Sequence, residues 1–256
     1  METLKNSILE RVAAFPGHTS IYFKDLTTGE HFGYNEQEPM CAASVIKLTV
    51  MAELFRQVEA GQVSREQKLV VADENRVPIC GVLTLMHSGM EVTPMDLCWL
   101  MITISDNMAT NMLIDLLGVD NIQENIRRLG LEGVSISRKL FEKRPGFREK
   151  TNYVSAAGIG KLLEMIYRGE LVSREASREM MEMLLAQQCT NKMPLLLPGE
   201  GRTAHKTGED DGITHDVGIV YARKPFVLCM LSEETEVPAF ERLIQEIARE
   251  LADTNS

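Results

Sequence analysis

The feature that most constrains this fold is where its two periodicities fall along the chain. Strand-like text is confined to the two ends, and the stretch from about Ser44 to about Gly199 is almost wholly helical in spacing. At the start, Leu4, Ile8, Leu9 and Val12 make one apolar helical stripe. Two short strands follow, Ser20–Asp25 and Glu30–Tyr34, on either side of the turn-rich Thr27-Thr28-Gly29. Near the end, Thr203–Thr207, Asp216–Ala222 and Phe226–Leu231 read as short strands, with Arg223-Lys224-Pro225 as a tight connection. Pro238 then opens a last helix with Phe240, Leu243, Ile244, Ile247 and Leu251 on one face. A helix then strands at one end, and strands then a helix at the other, close most economically into one antiparallel sheet covered by the terminal helices. The fold class expected is α+β, with residues 1–43 and 200–256 forming an α/β lobe and residues 44–199 an inserted all-helical lobe.

Helix boundaries inside the insert have local signals. Ser64 with Gln67 has the form of a capping box; Thr93, Pro94 and Asp96 suit the N-cap, N1 and N3 positions of another helix. Ser155 suits the N-cap of a helix running to Tyr167, with Gly169 as its C-terminal stop.

Composition excludes several function classes. The 256 residues carry 37 acidic and 27 basic side chains, a formal net charge of −10, so a nucleic-acid partner is not expected. Nothing approaches the roughly 20 apolar residues of a membrane span. The first 15 residues lack a signal-peptide apolar run, so the chain as given reads as cytoplasmic, or as extracytoplasmic if a leader was removed. The five cysteines, Cys41, Cys80, Cys98, Cys189 and Cys229, are odd in number, well separated and without a C-x-x-C pair. Neither a disulfide framework nor a metal site is expected, and no cofactor; four of them read as small buried hydrophobes in a reducing setting.

Three short motifs carry chemistry. Ser44-Val45-Ile46-Lys47 sets an amine one helical turn from a hydroxyl, and a serine hydroxyl becomes a nucleophile only when a neighbouring base takes its proton. Lys47 serves as that base only if burial and a second cation bring its pKa well below the free value of about 10.4. Ser105-Asp106-Asn107 stands between two apolar helices. It reads equally as a turn with a helix cap, or as a proton relay (Ser105) beside an amide for a substrate carbonyl (Asn107). Lys206-Thr207-Gly208 closes a strand: an ordinary edge, or a carboxylate grip with Gly208 allowing close approach of a ligand. Singly each is ambiguous. All three in this order amount to a coincidence of roughly one in a thousand or rarer.

The trio is the signature of class A β-lactamases and penicillin-binding proteins. The chain resembles the class A β-lactamase family over nearly its whole length, including Gly81-Val82-Leu83, the Ser105–Gly118 stretch and the terminal helices. The resemblance implies a β-lactamase/transpeptidase-like fold with the active site in the cleft between the lobes. It also implies that Ser44 is the acylated nucleophile, Lys47 its base or base partner, and Ser105 the proton carrier to the leaving nitrogen. Asn107 would hold the substrate's side-chain amide, and Lys206 and Thr207 its carboxylate. The backbone N–H groups of Ser44 and Glu209 would form the oxyanion hole, although an acidic side chain at 209 beside a substrate anion is unexpected. The substrate implied is a small molecule bearing a carboxylate.

One part of the family pattern is broken. Family β-lactamases release the acyl group with a loop glutamate followed four residues later by asparagine. The matching loop here is about Arg138–Val154; counting back four from Asn152 reaches Arg148, with Glu149 one off. Counting from the loop's start puts Leu140 near the spot, with Glu142 two residues on. Glu149 and Glu142 are both carried as deacylation candidates. Three readings follow: a β-lactamase acting through an acyl-serine, a peptidase or esterase on the same scaffold, and a penicillin-recognising sensor that stays acylated.

Other constellations are weaker. His205 and His215 read more simply as hydrogen-bonded strand histidines than as ligands or catalysts. Gly158-Ile159-Gly160-Lys161 lacks a phosphate loop's third glycine and preceding strand. Met180, Met181 and Met183 read as core filler, and Trp99 as a core residue of the helical block.

Overall fold

The computed structural model describes residues 2–78, 80–142, 151–197 and 202–254. The chain opens with α1 (Glu2–Ala13), then β1 (His18–Asp25), β2 (His31–Tyr34) and the two-residue β3 (Met40–Cys41). A 3-10 turn, Ala43–Ile46, leads straight into α2 (Lys47–Glu59). The short strands β4 (Leu69–Val70) and β5 (Glu91–Val92) pair with each other ahead of α3 (Pro94–Thr103), α4 (Asn107–Leu117) and α5 (Val119–Leu129). After β6 (Tyr153–Val154), which pairs with β3, come α6 (Ala156–Arg168) and α7 (Arg174–Leu185). The chain closes with β7 (Arg202–Asp210), β8 (Ile213–Tyr221), β9 (Phe226–Glu233) and α8 (Val237–Thr254).

The main sheet is antiparallel throughout, in the order β2-β1-β9-β8-β7. Its central pairing joins the two ends of the chain: β1 runs the whole length of β9, with Phe23 opposite Leu228. Alternation along β9 shows why the sheet is covered on both faces. Phe226, Leu228 and Met230 pack with Ile8 and Val12 of α1 and with Phe240, Ile244 and Ile247 of α8. Val227, Cys229 and Leu231 point the other way, into the core of the helical block. A slip of one residue would exchange these two sets, so the register is strongly fixed.

Helix signals are realised where side chains cap them. Thr93 accepts from Asp96 N–H, and Asp96 returns the bond to Thr93 N–H at 2.8 Å, with Pro94 at the start of α3. Ser155 caps α6 through Gly158 N–H, and Gly169 ends it in the left-handed region. Gly158-Ile159-Gly160-Lys161 lies inside that helix. The box at Ser64 behaves differently. Gln67 Oε1 accepts from Ser64 N–H at 3.2 Å, yet only a turn follows, because the next residues join β4 and pair with β5. Among the described residues between Ser44 and Leu197, the regular structure is helical except for the two-residue strands β4, β5 and β6, with turns and irregular chain between the helices. The strand expected to end at Thr207 continues to Asp210, with the reversal at Asp211-Gly212.

Two burial expectations need correction. Trp99 is 37% exposed on α3, so it is a surface residue rather than a core one. Of the cysteines, only Cys98 and Cys229 are fully buried; Cys41 and Cys189 are half-buried and Cys80 is exposed.

Candidate active site

A cavity of about 700 Å³ opens between the edge strand β7 and the helical block. Its walls include Ser44, Ser105, Asn107, Thr207 and Glu209, so the three motifs, which lie far apart in the sequence, share one space. Backbone strain concentrates here. Ala43, Ser105 and Phe141 are non-glycine residues with φ of 41°, 59° and 56°, and all three line the cavity. Such conformations cost of order 1–3 kcal/mol each and persist only where surrounding structure enforces them.

The enforcement at Ser105 is visible in its neighbour. Asp106 is fully buried and caps α4 by accepting from Ala109 N–H at 2.9 Å. Its other oxygen accepts from Val82 and Leu83 N–H, both at 2.7 Å. One carboxylate thus locks the Ser105 turn to the Cys80–Leu83 segment. At Gly208 a methyl group would meet Val45 Cγ2 and His215 Cδ2 at 3.1 Å and Ala43 Cβ at 3.3 Å. Glycine there lets β7 press against the turn that carries Ser44.

Lys47 sits at the centre, completely buried. Its Nζ lies 2.9 Å from Ser44 Oγ, 2.9 Å from Ser105 Oγ, 2.7 Å from Ser105 O and 2.9 Å from Asn107 Oδ1. An ammonium has three protons for these four oxygens. A neutral amine suits the set as well: it donates to the two carbonyls, which can only accept, and its lone pair accepts from a hydroxyl. Burial, and then the positive charge of Lys206, hold the Lys47 pKa well below the ordinary lysine range. Lys206 is also fully buried; its Nζ reaches Ser105 Oγ at 3.0 Å and Thr207 O at 2.9 Å. Its pKa is lowered to about 8, chiefly by burial. Ser105 Oγ therefore bridges two amines, a relay position between Ser44 and the rim where a leaving group would sit.

A third buried lysine escaped the sequence reading. Lys192, fully buried, places Nζ 3.0 Å from Glu209 Oε1, 3.6 Å from Glu241 Oε1, 3.2 Å from His215 O and 3.4 Å from Gly208 O. It braces the end of β7 against β8 and α8 and resolves the puzzle at position 209. The Glu209 carboxylate is engaged by a buried cation, although the side chain stays 60% exposed. No short motif marks Lys192; an isolated lysine after a helix carries no periodic signal.

The histidines take structural places. His205 pairs with Asp216 at 2.9 Å, buried and not among the residues that line the cavity. His215 Nδ1 accepts from Ser232 N–H at 3.1 Å, so Nε2 carries the proton and donates to Cys41 O at 2.8 Å. Burial lowers the His215 pKa to about 4. It is a neutral tie holding the segment before Ser44.

The loop after α5 is fixed by two asparagines. Asn111 brackets Leu140, accepting from its N–H and donating to its carbonyl, both at 2.9 Å. Asn152 accepts from Ser137 N–H at 2.9 Å and donates to Arg138 O at 3.1 Å. Arg138, Leu140, Phe141, Glu142, Thr151 and Asn152 thereby reach the cavity. Glu149 and Arg148 lie outside the described residues. Among the described residues, no cluster of three or more His, Cys, Asp or Glu side chains could hold a metal ion, and no helix is long and apolar enough to cross a membrane.

A serine paired with a buried lysine, facing a second serine and an edge strand, defines an acyl-transfer serine hydrolase of the β-lactamase/transpeptidase fold. The chain belongs to the beta-lactamase enzyme family, whose sequence profile matches residues 3–254. It is 23% identical over 254 residues to β-lactamase CARB-4 of Pseudomonas aeruginosa, covering 95% of this chain and 87% of the relative. It is 27% identical over 263 residues to a β-lactamase of Streptomyces albus G, covering 96% and 82%. Among solved structures, a β-lactamase from Sphaerobacter thermophilus DSM 20745 superposes with a TM-score of 0.91 at 29% identity, covering 100% of this chain and 98% of the other. PBP-A superposes with a TM-score of 0.89 at 26% identity, covering 99% and 96%.

Proposed function

We propose that this protein opens the amide of a β-lactam through an acyl-enzyme on Ser44, in a cleft between a sheet lobe (1–43 and 200–256) and a helical lobe (44–199). The observation that carries this reading is Lys47: a buried amine within hydrogen-bond distance of Ser44 Oγ, with burial and Lys206 both favouring its neutral form. The amine takes the hydroxyl proton as Ser44 attacks the carbonyl. Backbone N–H groups of Ser44 and Glu209 receive the oxyanion, each such donor being worth about 3–4 kcal/mol in the transition state. Ser105, in contact with both lysines, passes the proton to the departing nitrogen. Asn107 holds the acyl side-chain amide, and Lys206 with Thr207 holds the substrate carboxylate.

For release of the acyl group, Glu142 is the carboxylate of this loop, among the described residues, that lines the cavity. It orients the hydrolytic water. The partner is a small anionic molecule; the net charge of −10 sets the protein against nucleic acid. A chromogenic cephalosporin tests the reading: turnover by the wild type that disappears in Ser44→Ala supports it. Turnover that survives in Ser44→Ala, or is absent from wild type alongside ester or peptide cleavage, overturns it.

A further inference from the structure

Lys47 and Lys206 meet at Ser105 Oγ, and the proposed chemistry uses both. Lys192 is just as completely buried and has no part in that chemistry. Burying an ammonium costs stability, and an apolar side chain would fill the same space without that cost. We propose that Lys192 is a positioning residue for acylation: it fixes and polarises the Gly208–Glu209 peptide, whose N–H is one of the two oxyanion donors. This inference rests on the acyl transfer proposed for Ser44.

The geometry is that of one planar peptide unit. Lys192 Nζ lies 3.4 Å from Gly208 O, the carbonyl end of the unit whose amide end is Glu209 N–H. In a trans peptide these two groups point in opposite directions. β7 is an edge strand, and its Gly208 stands opposite His215 of β8. The same Nζ lies 3.2 Å from His215 O, so the Gly208 carbonyl is held on the side of β8. Glu209 N–H is thereby turned to the unpaired edge, where Glu209 lines the cavity together with Ser44. Nζ also lies 3.0 Å from Glu209 Oε1. One ammonium therefore holds residue 209 twice, by its side chain and by the carbonyl that precedes its nitrogen. Glu241 Oε1, 3.6 Å away, ties the ammonium in turn to α8.

Two effects on the donor follow. An oxyanion donor contributes only when it is aimed at the position where charge develops, and the double tie stops this peptide from rocking about the strand. A cation at the carbonyl oxygen also draws electron density through the amide, leaving the N–H more positive and a stronger donor. The charge is felt elsewhere in the site: burial lowers the Lys206 pKa most, and Lys192 adds to that lowering. Lys192 reaches the reacting atoms only through the peptide it holds.

The test compares two variants with the wild type. Lys192→Met removes the charge and keeps the length. Glu209→Gln keeps the backbone donor and weakens the tie at a side chain that is 60% exposed, so it reports even if the first variant fails to fold. Each protein is acylated by a neutral activated ester with an isotope-labelled carbonyl, which takes the binding of a substrate carboxylate out of the measurement. Stopped flow gives the acylation rate at saturation and the half-saturating concentration. Difference infrared spectroscopy gives the stretching band of the acyl-enzyme carbonyl, which rises in frequency as its hydrogen bonds weaken. Lys192→Met should lose about tenfold or more in the saturated rate, and Glu209→Gln less, with the half-saturating concentration unchanged and the band raised in both. A role confined to stability would lower the urea midpoint and leave the band in place. An unmoved band in the folded variants, or a loss confined to the half-saturating concentration, overturns the inference. A wild type that takes up neither the ester nor penicillin overturns the proposed function, and this inference with it.

Discussion

Replacing Lys206 by methionine removes a positive charge from beside Lys47 with little change in side-chain length. Both amines contact the same Ser105 Oγ, at 2.9 and 3.0 Å, so the two nitrogens lie no more than about 6 Å apart. Both side chains are fully buried, so solvent does little to screen them. At an effective dielectric constant of about 20, two unit charges at that separation repel by about 3 kcal/mol. That repulsion acts with burial to lower the Lys47 pKa, and so favours the neutral amine that serves as base. Without it, Lys47 keeps its proton to higher pH. On the acid side of the profile, where Lys206 is charged in the wild type, kcat/KM for acylation falls about a hundredfold in Lys206→Met and recovers as the pH rises. The assay uses a neutral activated ester, which offers no carboxylate for Lys206 to bind, and records kcat/KM against pH. A profile that superposes on wild type, or moves to lower pH, refutes the electrostatic coupling.

Lys192→Met removes the brace behind β7 and lowers stability by about 2 kcal/mol, the scale of a lost charged hydrogen bond; an unchanged urea midpoint contradicts this. His215 has a folded pKa of about 4 against the ordinary histidine value of 6.5, so the unfolded chain binds the extra proton in that window. Stability is therefore fully present above pH 6.5 and falls by about 3 kcal/mol as the pH drops to 4. Urea unfolding as a function of pH should show this loss, and His215→Gln should flatten it; an equally steep loss in the variant assigns it elsewhere. Leu140→Glu places a carboxylate in the cavity on a backbone that Asn111 brackets from both sides, and shortens the lifetime of the acyl adduct. An equal lifetime in the variant excludes that position as one from which water can be activated.

What the sequence made legible was whatever local chemistry dictates. The capping groups at Thr93 and Ser155 act within three residues, and alternation along β9 declares two buried faces. The three motifs were legible as a set because each is a tight local arrangement whose parts need no long-range information. The hairpin strands, the terminal helices and the chain-end pairing followed from the same patterns. The Ser64–Gln67 box failed because pairing of β4 with β5 outweighed a local preference for helix. Lys192 was invisible because its partners, Glu209 and Glu241, come from distant elements and meet it only in the folded chain. The thiols gathered at the cavity, Cys41, Cys80 and Cys189, were misread for the same reason: apolar neighbours in sequence do not say which way a side chain turns.

The central claim is that Ser44 carries the acyl group. Incubation with penicillin, rapid acid quench and peptide mapping by mass spectrometry test it most directly. The account predicts a penicilloyl mass on the peptide containing Ser44 in the wild type, and no adduct in Ser44→Ala. An adduct on any other residue, or an equal adduct in Ser44→Ala, contradicts it.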